Sequence, residues 1–202
     1  MTTSASIMLF QTDLRLADNP ALSAALRRGH PLICLFVWDP HAEGYATPGA
    51  ASRWWLHHSL QSLSEDLRSA GNDLIIRIGK TCDVLSNLLC DYPNSQVFWN
   101  QSCEPICQNI EREMLTLFET ERIEGHEFHG NTLVDPSTIL TQTQNPYRVF
   151  TPFWNRLQSI LSLSSPLPAP NMLPPHPLGR RESVPLDSLQ LLPTIDWAQG
   201  LR

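Results

Sequence analysis

Two rhythms of apolar residues alternate along the chain. Short continuous runs at 6–10, 31–38, 74–79 and 96–99, and a fifth segment at 122–129, have the length of strands. The second run, Leu32-Ile33-Cys34-Leu35-Phe36-Val37-Trp38, holds no charged residue and predicts a parallel strand buried on both faces. Between the runs, apolar residues recur every three or four positions, the period of a helix with one buried stripe. Residues 20–28 carry Ala21, Leu22, Ala24, Ala25 and Leu26 between an Asn19-Pro20 start and an Arg28-Gly29 stop. Residues 50–70 carry Trp54, Leu56 or His57, Leu60, Leu63 and Leu67. Thr81 caps a helix over Val84, Leu85, Leu88 and Leu89, and residues 106–119 carry Ile110, Met114, Leu117 and Phe118. Alternation of this kind predicts an α/β fold: a doubly wound, Rossmann-like, five-stranded parallel sheet with helices on both faces and right-handed crossovers.

The alternation stops after Gly130. Asp39 to Gly49 is a loop, rich in Pro and Gly, and residues 131–150 are irregular. Thr151-Pro152 then opens a short helix over Phe153, Trp154, Leu157, Ile160 and Leu161, an aromatic anchor that pins the end of the domain to the sheet. From 164 to 185 the chain carries seven prolines, a composition that builds no core and reads as an extended linker. One late apolar patch, Leu189, Leu191 and Leu192, precedes a turn-like end. The chain divides into an α/β domain at 1–163 and a Pro-rich linker at 164–202. An undocked linker is cut first by protease between 163 and 185.

Composition removes several function classes. The net charge is −6, Lys80 is the single lysine and the arginines are scattered, which leaves room for a local basic patch but not for a basic domain, and direct DNA binding by this chain alone is not expected. Five cysteines, at 34, 82, 90, 103 and 107, are irregularly spaced and odd in number, which points to packed thiols in a reducing, cytoplasmic compartment. Cys103 and Cys107 lack a second pair or a nearby His, so no metal site is expected. No signal peptide and no apolar run of membrane-spanning length occurs.

Candidate chemistry gathers where strands hand over to helices. Asp13, Arg15, Asp18 and Asn19 lie in the first strand-to-helix turn, at the sheet edge where open α/β folds bind ligands. Turn and cap chemistry alone accounts for all four, and a ligand pocket or domain interface is the functional alternative. No Gly-rich phosphate loop is present, which disfavours an ordinary dinucleotide dehydrogenase. Phe36 and Trp38 share one face of the second strand, either as core or as the wall for a planar ligand. Arg53 stands at the unfavourable end of a helix dipole, either solvated or facing a carboxylate or ligand anion. His57-His58 and the His126 to His129 segment lack metal spacing, and no catalytic triad or carboxylate pair stands out.

Two long motifs then bracket the domain: Asp13-Leu14-Arg15 with Asp18-Asn19-Pro20-Ala21-Leu22, and Tyr147-Arg148-Val149-Phe150-Thr151-Pro152-Phe153-Trp154. Together with the Arg53 helix, the Glu104-Pro105 turn and Leu191-Leu192-Pro193, they make the chain resemble the N-terminal α/β domain and interdomain linker of the photolyase/cryptochrome family. The resemblance implies a light-harvesting antenna domain. In full-length photolyases, carbon–carbon lyases, such a domain serves a helical FAD-binding domain that repairs pyrimidine dimers flipped out of DNA. No stretch here matches that helical domain, so catalysis is not expected of this chain alone, and no catalytic residue is assigned. A downstream or separately encoded helical domain is the implied partner. The Asn-Glu pair associated with folate falls at Ile106-Cys107, which speaks against folate. A deazaflavin or flavin near Asp13, Phe36, Trp38, Arg53 and Glu104, or an empty pocket, remains. Where family members often carry Trp and Arg at the end of the first strand, this chain has Leu9 and Gln11. The alternative class is a stand-alone nucleotide- or protein-binding module, or a fragment of a cryptochrome-type photoreceptor.

Overall fold

A computed structural model describes residues 4–40, 48–162, 165–177, 183–195, 197, 198 and 200. Five strands, β1 (Ser6–Phe10), β2 (Leu32–Trp38), β3 (Leu74–Ile78), β4 (Gln96–Asn100) and β5 (Glu124–Phe128), pair in the order β3-β2-β1-β4-β5, all parallel. The helices are α1 (Pro20–Arg27), α2 (Ala50–Ser69), α3 (Thr81–Asp91), α4 (Pro105–Glu121) and α5 (Phe150–Ile160). Alternate residues of β1 feed two cores. Met8 and Phe10 join Leu22 of α1 and Leu60, Leu63 and Leu67 of α2, while Ile7 and Leu9 join Leu85 and Leu88 of α3 and Met114 and Phe118 of α4. The sheet is therefore covered on both faces, as the unbroken apolar strands require. Each Leu fully removed from water contributes about 1.5–3 kcal/mol.

The start of α1 follows from its sequence. The Asn19 side chain accepts from the Leu22 N–H, and Pro20 at the first helical position needs no partner for a missing N–H. Helix α4 stops at Arg122, which takes a left-handed conformation (φ 57°). Gly125 in β5 is required by packing: a Cβ there would lie 2.5 Å from Phe118 Cδ2.

Two expectations change. The Pro-rich tail, a composition expected to build no core, contributes to one and is docked on the domain. Leu173, Leu189 and Leu191 are buried in the α1–α2 core, and the Trp197 ring lies 6.4 Å from that of Trp54, tilted by 48°. Its backbone is held as well: Leu173 N–H donates to Ala70 O at 2.7 Å and Val184 N–H to Ile76 O at 3.0 Å. The second bond covers part of the β3 edge, an otherwise open template for pairing with another chain. Prolines fix an extended path, and single leucines along that path reach the core without any periodic pattern. The aromatic helix also differs. Only Leu157 of α5 is buried, whereas Phe150 and Trp154 are 69% and 41% exposed and stack on each other at 6.0 Å. These rings do not anchor the helix to the sheet. The expected loop at 39–49 lies largely outside the described residues, as do tail residues 163–164 and 178–182.

Candidate functional site

The first turn after β1 is tied down by a buried polar network. Asp13 is 1% exposed; its carboxylate accepts from Gln11 N–H (3.1 Å), Asn19 Nδ2 (3.3 Å) and Asn100 Nδ2 (2.5 Å). Asn100, the last residue of β4, also donates to Asn19 Oδ1 at 2.7 Å and accepts from Ala21 N–H at 3.3 Å. Arg15 donates to the Gly130 carbonyl (2.5 Å) and to Asn131 Oδ1 (3.3 Å). Gly130 leaves room for this arrangement, because a Cβ there would overlap Asn100 Oδ1. Asp18, with φ at 50°, exchanges hydrogen bonds with Leu167 of the tail, donating N–H to its carbonyl at 2.8 Å and accepting its N–H at 3.2 Å. The network fills the point between β1 and β4 where the strand order reverses.

Ligand space opens beside it, above β1 and β2. A cavity of about 430 Å³ is lined at the ends of these strands by Phe10, Gln11, Thr12, Phe36, Trp38 and Asp39. Ser52, Thr81 and Cys107 from the first turns of α2, α3 and α4, with Glu104 just before α4, complete it. Volumes of this size suit small-molecule ligands. A second, more open groove of about 830 Å³ shares Gln11, Thr12, Ser52, Leu56 and Glu104 and extends past Trp54 and Trp55. The preceding residues of all three helices, Gly49, Lys80 and Glu104, provide no side-chain cap. Their free first-turn N–H groups lend the rim partial positive charge, set beside the carboxyl groups of Asp39 and Glu104. Within the cavity wall, burial pushes the Cys107 thiol above its ordinary range, against a hydrogen bond from Ser102, so it remains a neutral thiol.

Phe36, Trp38 and Glu104 meet in this cavity. Phe36 and Trp38 also pack into the α1–α2 core, so wall and core are the same residues. Asp13 does not line the cavity. Its three hydrogen bonds make it the anchor of the turn that carries Gln11 and Thr12 to the cavity. Arg53 does not line it either, and its Nε is shielded from solvent with no partner. Sequence reading did not single out Asn100. A polar residue closing the apolar run Val97-Phe98-Trp99 was the available signal. Gln11 was read only as a departure from a family pattern. Its amide oxygen and nitrogen are both shielded from solvent and both unpartnered. Among the described residues no cluster could hold a metal, and no helix is long and apolar enough to cross a membrane.

A parallel sheet with a cavity over its strand ends and uncapped helix starts around it defines a doubly wound α/β domain with its open space where such folds bind ligands. Residues 6–171 match the family model for DNA photolyase. The chain is 34% identical over 200 residues to a deoxyribodipyrimidine photo-lyase of Agrobacterium fabrum, covering 98% of this chain and 41% of that protein. It is 37% identical over 158 residues to cryptochrome-1 of Arabidopsis thaliana, covering 77% of this chain and 23% of that one. Among solved structures, a class III photolyase from Agrobacterium tumefaciens superposes with a TM-score of 0.89 at 33% identity, over 99% of this chain and 41% of that chain. The chain belongs to the photolyase/cryptochrome family and corresponds to its N-terminal α/β domain. It spans less than half the length of these relatives.

Proposed function

We propose that this chain is the light-harvesting domain of a photolyase-type flavoprotein and that its cavity over β1 and β2 holds a deazaflavin or flavin. The observation that carries the reading is the cavity itself: about 430 Å³, walled by Phe36 and Trp38 and ringed by three uncapped helix starts. The residues suit such a group. Phe36 and Trp38 offer apolar surface to a planar ring, Ser52 and Thr81 offer hydroxyls to a polar side chain, and the helix N–H groups favour a phosphate. When bound, the heterocycle supplies absorption of blue or near-UV light, which this chain's own residues lack. The division at residue 163 into an antenna domain and an interdomain linker belongs to the same reading.

Repair of pyrimidine dimers, or cryptochrome-type photoreception, then belongs to an assembly that includes a helical FAD-binding module, encoded downstream or separately. The exposed Val149, Phe150 and Trp154 give that module an aromatic surface to cover. Contacts to DNA fall to the module, since this chain has a net charge of −6 and a single lysine. All five cysteines are free, which supports a reducing, cytoplasmic setting.

Fluorescence titration of the purified chain with FMN, 5-deaza-FMN and tetrahydrofolate tests the reading. Binding of a flavin-type ligand, weakened about tenfold or more in Trp38→Ala, supports it. A chain that takes up neither flavin-type ligand overturns it, and uptake of tetrahydrofolate alone overturns the choice of flavin.

A further inference from the structure

The Gln11 side chain is placed by a rigid backbone and left without work in the fold. It follows Phe10, which is fixed in the core, and its own N–H donates to Asp13 Oδ1, inside the network that anchors the turn. The side chain lines both the cavity and the adjoining groove. Neither Nε2 nor Oε1 has a hydrogen-bond partner, although both are shielded from solvent. A ligand edge that supplies both partners recovers the roughly 1–3 kcal/mol that each such unmade bond costs. The terminal amide torsion is soft, so the group turns toward a ligand edge without displacing backbone.

We propose that Gln11 selects the cavity's ligand by reading a cyclic amide edge, a ring N–H beside a ring C=O, on a fused heterocycle. The inference rests on the cavity reading above and adds the chemistry of recognition. A primary amide presents one acceptor beside one donor, and a cyclic amide presents the complementary pair. Two parallel hydrogen bonds result, with the logic by which glutamine reads adenine. The pair is neutral on both sides, so it selects an edge that carries no charge. A site with both partners buried rejects an analogue that lacks one of them more strongly than an apolar wall can. Flavins and deazaflavins carry this edge on their pyrimidine ring, and so do reduced pterins.

The test uses the full chain and four probes: FMN, tetrahydrofolate, and the N3-methyl analogue of each, in which the ring N–H is replaced. Wild type should bind the parent ligand about tenfold or more tightly than its N3-methyl analogue. In Gln11→Leu that ratio should fall to near one. The thermal midpoint of Gln11→Leu without ligand should be unchanged or higher, because two orphaned groups are removed. A wild type that does not distinguish the methylated analogue overturns the assignment, as does a Gln11→Leu chain that keeps the ratio or melts well below wild type. If FMN binds but the ratio is one, Gln11 is not the reader and the cavity reading stands. If tetrahydrofolate alone binds and its ratio depends on Gln11, the reader stands and the flavin choice falls. If no probe binds, both fall.

Discussion

Asn100→Ala should be among the most damaging single substitutions in the domain, because one side chain joins β4, the β1 turn and the start of α1. Its Nδ2 donates to the Asp13 carboxylate at 2.5 Å and to Asn19 Oδ1 at 2.7 Å, and its Oδ1 accepts from Ala21 N–H at 3.3 Å. A bond to a charged group contributes about 1.5–3 kcal/mol and each neutral bond about 0.5–1.5. Since Asp13 and Asn19 keep other partners, the losses overlap, and the expected cost is about 3–5 kcal/mol. In a chain of this size that lowers the thermal midpoint by roughly 6–20 °C. Urea unfolding followed by tryptophan fluorescence measures it, with Asp13→Asn and the double variant completing a cycle. The cycle should show coupling above about 1 kcal/mol, the mark of residues in one network. An Asn100→Ala chain within about 1 kcal/mol of wild type, or no coupling to Asp13, refutes the claim that this network holds the turn.

Three further outcomes follow from buried groups. Leu173→Ala removes a tail side chain from the core, should cost about 2–5 kcal/mol, and should make residues 165–177 cleavable by a protease that leaves them intact in wild type; equal resistance in both chains shows that the tail is held without Leu173. Burial and the neighbouring His58 hold His57 below the usual imidazole value, against the pull of Asp187. The unfolded chain therefore takes up a proton near pH 6.5 that the folded chain refuses, and stability falls as pH drops through that value, a slope His57→Leu should flatten in thermal melts. Burial raises the Glu111 carboxyl, and Glu127 adds to the shift against the bond from Ser102 N–H at 3.0 Å. The buried carboxylate thus costs stability above the ordinary Glu range, so Glu111→Gln, which keeps the acceptor, should melt higher than wild type at pH 7 and lose that advantage near pH 4; a lower melt at pH 7 contradicts this sign.

The sheet and its four covering helices were legible because their residues repeat with the periods of strand and helix, and because Asn19-Pro20 and Arg28-Gly29 mark the ends of α1 chemically. Elements whose burial depends on distant partners were not. The aromatic stripe of α5 has the spacing of a buried face, yet Phe150 and Trp154 are exposed. In the tail, prolines gave the composition of an extended linker that builds no core, while Leu173, Leu189 and Leu191 pack one by one against α1 and α2. Phe36, Trp38 and Glu104 could be placed together from their positions at strand and helix ends, and they line one cavity. The structural partner of Asp13 was not legible, since Asn100 is 87 residues away and no local pattern links them. Gln11 was equally silent, because an amide without a partner is visible only when its surroundings are.

Filling the cavity tests the central claim most directly. Ser52 is an exposed residue in the first turn of α2 that lines both the cavity and the groove, so Ser52→Trp adds bulk there without disturbing the core. The account predicts that wild type binds FMN or 5-deaza-FMN and that Ser52→Trp loses this binding by about a hundredfold or more, with a thermal midpoint close to wild type. Equal flavin binding by both chains places the ligand elsewhere and contradicts the account.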